Sequence, residues 1–146
     1  MPSTVVSSIE ELPGRAARLL SSTRRAVLGT TDPEGSPHLV PSVFIVLEGD
    51  LLVPIDAKPK ASANLKRLRN IARDPRATML IDRWDEEWSK LEWLMIRCIA
   101  SLESVNLETA ATAELLRRYP QYANLTPIES LIRLRPTKLT WWSWTG

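Results

Sequence analysis

Residues 26–56 read AVLGTTDPEGSPHLVPSVFIVLEGDLLVPID, and their spacing decides the fold class. Ala26 to Thr30 is a short β-forming run, Asp32-Pro33-Glu34-Gly35 carries Pro and Gly where a type I turn prefers them, and Pro37 to Leu47 is a second, longer strand. Glu48-Gly49-Asp50 makes another tight connection into Leu51 to Asp56, so three antiparallel strands follow one another as a meander. Pro37, Pro41 and Pro54 lie inside these strands, where each removes a ladder donor. They are expected at edges, at bulges, or where something other than a strand lies alongside.

Upstream, Ser7 and Ser8 each stand three residues before Glu10 and Glu11, the capping-box spacing, and Leu12, Ala16, Leu19 and Leu20 continue a helical period. Residues 1–24 are therefore read as a helical segment leading into the strands. Downstream, residues 62–74 return to helical spacing with Ser62 as cap and Leu65, Leu68, Ile71 and Ala72 on one face, ended by Asp74-Pro75. Ala77 to Asp82 reads as a fourth strand, Trp84 to Lys90 as an acidic loop, Trp93 to Val105 as a fifth strand and Thr109 to Tyr119 as a helix. Pro120 and Pro127 punctuate a connection with a helical turn at Ile128 to Ile132, before a last strand from Leu134 to Trp144. Six short strands with helices at three places predict an α+β chain: an antiparallel barrel or sandwich carrying peripheral helices, not an alternating βαβ sheet.

The chain has 146 residues, about one domain's worth, so residues 1–146 are expected to form a single domain. Its net charge of +2 excludes a polyelectrolyte built to coat nucleic acid or an anionic bilayer. One cysteine, Cys98, allows no internal disulfide and no thiolate zinc site within one chain, and one histidine, His38, excludes a multi-histidine metal centre. No apolar run approaches the roughly 20 residues of a spanning helix, and a cytoplasmic protein is expected.

Charge is nevertheless segregated. Residues 57–76 carry seven basic and one acidic residue, net +6, while the remainder carries twelve basic and sixteen acidic, net −4. Cations on a loop that opens a helix sit beside free N–H groups and the positive end of the helix dipole, an arrangement that suits a phosphate; a solvated helix face is the plainer alternative. Six tryptophans against one phenylalanine form a second anomaly. Trp88, among Asp85, Glu86, Glu87 and Lys90, is read as an exposed aromatic anchor, and Trp141-Trp142 places adjacent indoles on opposite faces of a strand. No glycine-rich phosphate loop and no paired-histidine zinc motif is present, so an enzyme built on this chain would leave the hard chemistry to a bound cofactor.

At Gly35-Ser-Pro-His-Leu-Val-Pro41, Asp56-Ala-Lys-Pro-Lys60, Lys66-Arg67-Leu-Arg-Asn-Ile71, Asp74-Pro-Arg76 and Asp85-Glu-Glu-Trp88-Ser89, the chain resembles the flavin-binding split barrels related to pyridoxamine 5′-phosphate oxidase. Within them it is most similar to the deazaflavin (coenzyme F-420) branch. The resemblance runs from about residue 15 to the C-terminal tryptophans. It implies a six-stranded split barrel that forms a homodimer with cofactor sites at the subunit interface and acts on a small-molecule substrate. Val40, Pro41, Ser42 and Val43 match the strand whose backbone lines the ring system. Lys66 and Arg67 match a basic pair that holds the cofactor phosphate, Lys58 and Lys60 match a loop of the deazaflavin-type relatives, and Trp88 matches a tryptophan near the partner's site. Coenzyme F-420, with its phosphodiester and polyglutamate tail, would use more of these cations than FMN, the alternative cofactor. The position of Cys98 is often glycine in relatives, and the residues that recognise pyridoxamine phosphate have no counterpart here. No catalytic residue is assigned, and His38 is the first candidate to test for proton transfer. Competing readings are a non-catalytic flavin or haem carrier on the same barrel and a barrel binding single-stranded nucleic acid.

Overall fold

The hairpin expected from residues 26–47 is present in the computed structural model of the chain, which describes residues 3–55, 65–105, 109–124 and 128–146. Strands β2 (Ala26–Thr31) and β3 (Pro37–Ser42) pair antiparallel. Their turn is held by Asp32, whose carboxylate accepts the N–H groups of Glu34 at 3.0 Å and Ser36 at 2.9 Å, while Gly35 takes φ +82°, open to glycine without strain. Strands β4 (Ile45–Leu47) and β5 (Asp50–Ile55) form the next hairpin, with Glu48 and Gly49 both at positive φ as a two-residue turn requires.

Helix α2 (Lys66–Arg73) follows, then β6 (Arg76–Arg83), β7 (Glu92–Ser104), α3 (Ala110–Arg118) and β8 (Ser130–Ser143). One eight-stranded sheet has the order β3-β2-β6-β7-β8-β5-β4, with β1 (Ser3–Val6) added on β8. The count exceeds the six expected for two reasons. The long run 37–47 is interrupted at Val43-Phe44, and the segment 1–24, expected to be helical, begins with β1 before a 3-10 turn at Ile9–Glu11 and helix α1 (Gly14–Ser22). Ser8 does donate to the Glu11 carboxylate at 2.8 Å, but it makes no side-chain cap, so the capping-box spacing there produces only a short turn. The helical turn expected at Ile128 to Ile132 is likewise replaced by the start of β8, because Ser130 to Leu134 pair with β5 on one side and with β7 on the other. Tertiary pairing here overrides local propensity.

β3 and β4 lie at opposite ends of the sheet order, yet only Val43 and Phe44 separate them. Three residue steps reach at most roughly 11 Å, so the sheet must curl until its two ends almost meet: a barrel left split between β3 and the β4/β5 hairpin. Inside it pack Leu28, Phe44, Leu51, Val53, Met79, Ile81, Leu94, Ile96 and Leu139, with Ala16, Leu19 and Leu20 of α1. Helix α3 covers the outer face of β4 and β5 through Ala111, Leu115 and Tyr119. Both faces of β5 are thereby buried, which is why Leu51 to Ile55 is continuously apolar instead of alternating.

In β8 the inward positions change from even (Ile132, Leu134) to odd (Leu139, Trp141, Ser143). A bulge causes the change: Cys98 pairs with Pro136 and Arg97 with Lys138, leaving Thr137 as the extra residue, its hydroxyl donating to the Arg97 carbonyl at 3.1 Å. Pro136 also falls between the β5-paired stretch 130–134 and the β1-paired stretch 139–142, where no ladder donor is needed.

On α2 the buried residues are Asn70 and Ile71, with Leu65 and Leu68 packed on the core; Ala72, expected on the apolar face, is exposed. The buried Asn70 amide donates to Thr30 Oγ1 at 3.0 Å. At the end of α2, the Asp74 carboxylate accepts Arg76 Nη2 at 2.7 Å, Nε at 3.0 Å and the Arg76 N–H at 3.1 Å, and these bonds hold its pKa at about 2. A carboxyl depressed from 3.8 binds fewer protons in the folded state, so its contribution to stability is complete above pH 3.8 and disappears as pH falls toward 2. Asp74→Asn should therefore unfold at lower urea than the wild type at pH 6, and the gap between the two should close progressively between pH 4 and pH 2.

Candidate functional site

The split in the barrel is bounded by one proline on each lip. Pro41 lies on β3, a terminal strand with no neighbour on its outer edge among the described residues, and Pro54 lies on β5 beyond Leu52, the last residue that β4 covers. Neither proline can donate across the opening, so the ladder does not close there. The opening is a cavity of about 210 Å³ lined by Pro41, Ser42, Val43, Val53, Pro54, Arg67 and Tyr122. Pro41 and Pro54 each pair with a strand on one side only, Pro41 with Val27 of β2 and Pro54 with Leu131 of β8, and face the opening on the other, as expected of strand prolines.

The β3–β4 junction beside the cavity is locked by Phe44, which is fully buried. The Phe44 N–H donates to the Tyr119 hydroxyl at 3.3 Å, and that hydroxyl lies 3.0 Å from the Phe44 carbonyl and 2.8 Å from the Arg24 carbonyl. The Arg118 guanidinium stacks over the Phe44 ring at 5.0 Å, donates through Nε to the Tyr119 hydroxyl at 3.2 Å, and bonds the carbonyls of Ser21 and Thr23. The end of α3 thus clamps the α1–β2 connection to the β3–β4 junction, one residue from Val43.

Of the residues singled out from the sequence, Pro41, Ser42, Val43 and Arg67 meet at this cavity. Val40 is half-buried and packs on the main core, so it presents only backbone to the open edge. Lys66 points elsewhere: its ammonium is 3.5 Å from the Asp32 carboxylate on the β2–β3 turn, and the neighbouring cations of α2 are thereby split between two directions. Lys58 and Lys60 lie outside the described residues. His38 is half-buried on β3 opposite Thr30, on the same side of the strand as Val40 and Ser42.

Trp88 is exposed and sits away from the cavity lining, edge-on to Trp144 at 5.5 Å. Trp144 in turn meets Trp142 at 6.5 Å, and Trp142 stacks on Trp93 at 6.3 Å, so four tryptophans form one continuous outward aromatic group. Trp141 points inward as its strand position requires, buried, with its indole N–H on the Glu92 carboxylate at 3.3 Å. Cys98 is a buried small side chain whose thiol burial pushes up to about 12, which removes it as a nucleophile.

Val53, Pro54 and Tyr122 also line the cavity and are not among the site residues expected from the sequence. Pro54 was legible as a misplaced strand proline; Tyr122 carried only the weak signal of a rare aromatic in a proline-punctuated connection. It stands edge-on to Tyr119 at 6.3 Å.

A family model described as pyridoxamine 5′-phosphate oxidase matches residues 12–142. A comparison with curated protein sequences finds no match. Among solved structures, the chain is similar to a conserved hypothetical protein from Mycobacterium tuberculosis (20% identity, TM-score 0.70, 90% of this chain and 84% of that one). It is also similar to the heme storage protein HutZ from Vibrio cholerae (17%, TM-score 0.66, 86% and 89%) and to an FAD-binding protein from Mesorhizobium loti (13%, TM-score 0.61, 97% of each chain). At these identities the likeness concerns the fold.

Proposed function

Because the chain belongs to the pyridoxamine 5′-phosphate oxidase family, we propose that it is a flavin- or deazaflavin-dependent oxidoreductase that transfers a hydride between coenzyme F-420, with FMN as the alternative cofactor, and a small organic substrate. The observation that carries this reading is the split between two proline lips with a single guanidinium, Arg67, at its wall. The residues present fit such a group: a flat ring can lie along the outer edge of β3 from Val40 to Ser42 and on to Val43, and use its backbone groups, which no strand among the described residues occupies. Arg67 supplies the cation for the phosphate end. The net +6 between residues 57 and 76, including Lys58 and Lys60, supports the longer, more anionic deazaflavin over FMN.

When bound, the cofactor supplies the hydride chemistry. The chain's part is to hold the ring against the β3 edge, to keep that edge in place through Phe44 and Tyr119, and to exclude water with Val43 and Val53.

A cavity of about 210 Å³ is below the roughly 300–1,000 Å³ usual for small-molecule sites, which supports a homodimer in which the partner completes the wall. A row of side chains runs across the outer face from the cavity lip: Pro41 pairs with Val27, Val27 with Leu80, and Leu80 with Met95. Leu39, 66% exposed, flanks it through its place opposite Gly29. An apolar face of this kind suits a second copy of the chain.

Parallel titrations of the cofactor-stripped protein with coenzyme F-420, FMN and hemin, followed by tryptophan quenching and ligand absorbance, test the reading. Micromolar or tighter binding of F-420, one per chain, is the expected result. Preference for FMN would replace the cofactor but keep the site. Binding of hemin alone, with a Soret band lost in His38→Ala, would overturn the oxidoreductase assignment in favour of a haem carrier.

A further inference from the structure

Helix α1 packs against β6 and β7, and between them and the 3-10 turn Trp88–Lys90 lies a second cavity of about 460 Å³. None of its lining residues also lines the barrel split. Arg15, Arg18 and Ser22 face it from α1, Arg83 from the end of β6, Lys90 from the turn, and Glu92 from the start of β7. Arg15 and Arg18 are one helical turn apart and share that side of α1.

The charges here compensate only in part, with Glu87 pairing Lys90 and also acting on Arg83 from nearby. Glu92 is the only carboxylate in the lining, and in the strand register it stands directly opposite Arg83, where opposite charges ordinarily pair. No ion pair forms between them; the buried Glu92 carboxylate accepts the Trp141 indole N–H at 3.3 Å instead. Arg15 is held in place from behind, donating to Ser143 Oγ and Thr145 Oγ1 at 3.0 Å each and lying over the Trp141 ring at 5.4 Å. Lys90 is 2.7 Å from Glu87. Arg18 and Arg83 form no ion pair among the described residues.

We propose that this cavity is a binding site for a small multivalent oxyanion, a phosphate ester or polycarboxylate, held chiefly by Arg18 and Arg83. Four cations around one recess concentrate positive potential there, and guanidinium forks match phosphate and carboxylate oxygens two at a time. The recess holds far more than one phosphate group, and Leu19 gives it an apolar wall, so the anion is carried on an organic body of small-metabolite size.

Calorimetric titration of the full chain at low salt with inorganic pyrophosphate and, separately, with citrate tests the assignment and distinguishes the two anion types. One saturable site per chain is expected for at least one probe, with affinity reduced roughly tenfold or more in Arg18→Ala/Arg83→Ala and by less in Arg18→Lys/Arg83→Lys. Both arginines are exposed, and an unchanged thermal midpoint verifies that the double variant folds. The same variant should bind F-420 or FMN as the wild type does, so failure of the flavin reading and failure of this one are separately visible. Absence of saturable binding by either probe, or binding that the double alanine variant leaves intact, overturns the proposal.

Discussion

Phe44→Ala is expected to lower stability by about 3–5 kcal/mol, the usual cost of emptying a buried phenylalanine site, which for a chain of this size corresponds to a midpoint shift of roughly 6–20 °C. Phe44 is the only phenylalanine and is fully buried in the main core, and its ring also carries the Arg118 guanidinium at 5.0 Å. Loss of the side chain removes the packing that lets the chain pass from one end of the sheet to the other in two residues. Tyr119→Phe should cost less, about 1–3 kcal/mol, the penalty for leaving a buried polar group without its partner, because the Phe44 N–H loses its acceptor while the rings still pack. Thermal and urea unfolding of both variants provide the measurement. A Phe44→Ala shift under about 1 kcal/mol, where single surface changes ordinarily fall, would show that the junction is not held as described.

The second large effect concerns the cofactor. Arg67→Ala should weaken flavin or deazaflavin binding by roughly 10- to 150-fold, the equivalent of one charged hydrogen-bonding group. Lys66→Ala should do less, because the Lys66 side chain is 47% exposed and its ammonium is already directed at Asp32. Dissociation constants for both variants, measured with the tighter-binding cofactor, decide the matter. If Lys66→Ala has the larger effect, the phosphate lies toward the β2–β3 turn and Arg67 serves the ring or the substrate instead.

Much of the architecture was legible from spacing because the signals are local. Alternation in Ala26 to Thr31 and in Ala77 to Ile81, the Asp32 to Gly35 turn and the Glu48-Gly49 connection each depend on a few adjacent residues, and each is where it was expected. The strand prolines were legible as anomalies, and two of them, Pro41 and Pro54, line the candidate site. What was misread depends on distant partners. Ser3 to Val6 is a strand only because β8 extends past the end of β5 and offers it an edge, and Ser130 to Leu134 is a strand only because β5 and β7 lie on both sides. The buried Asn70 was invisible because its partner, Thr30, is forty residues away.

The candidate site divides in the same way. That residues 57–76 concentrate positive charge and that β3 carries a proline in mid-strand are properties of the amino-acid order, since charge and a missing N–H belong to residues wherever they fold. Which cation faces the split is a matter of helix rotation: Lys66 and Arg67 are adjacent in the chain but about 100° apart around α2, so packing of Leu65, Leu68 and Ile71 on the core turns one toward Asp32 and the other into the cavity. That Pro41 and Pro54 line one opening, and that Arg18 and Arg83 line one recess beside α1, required the chain to fold around its core, because residues far apart in sequence are brought together only by tertiary packing.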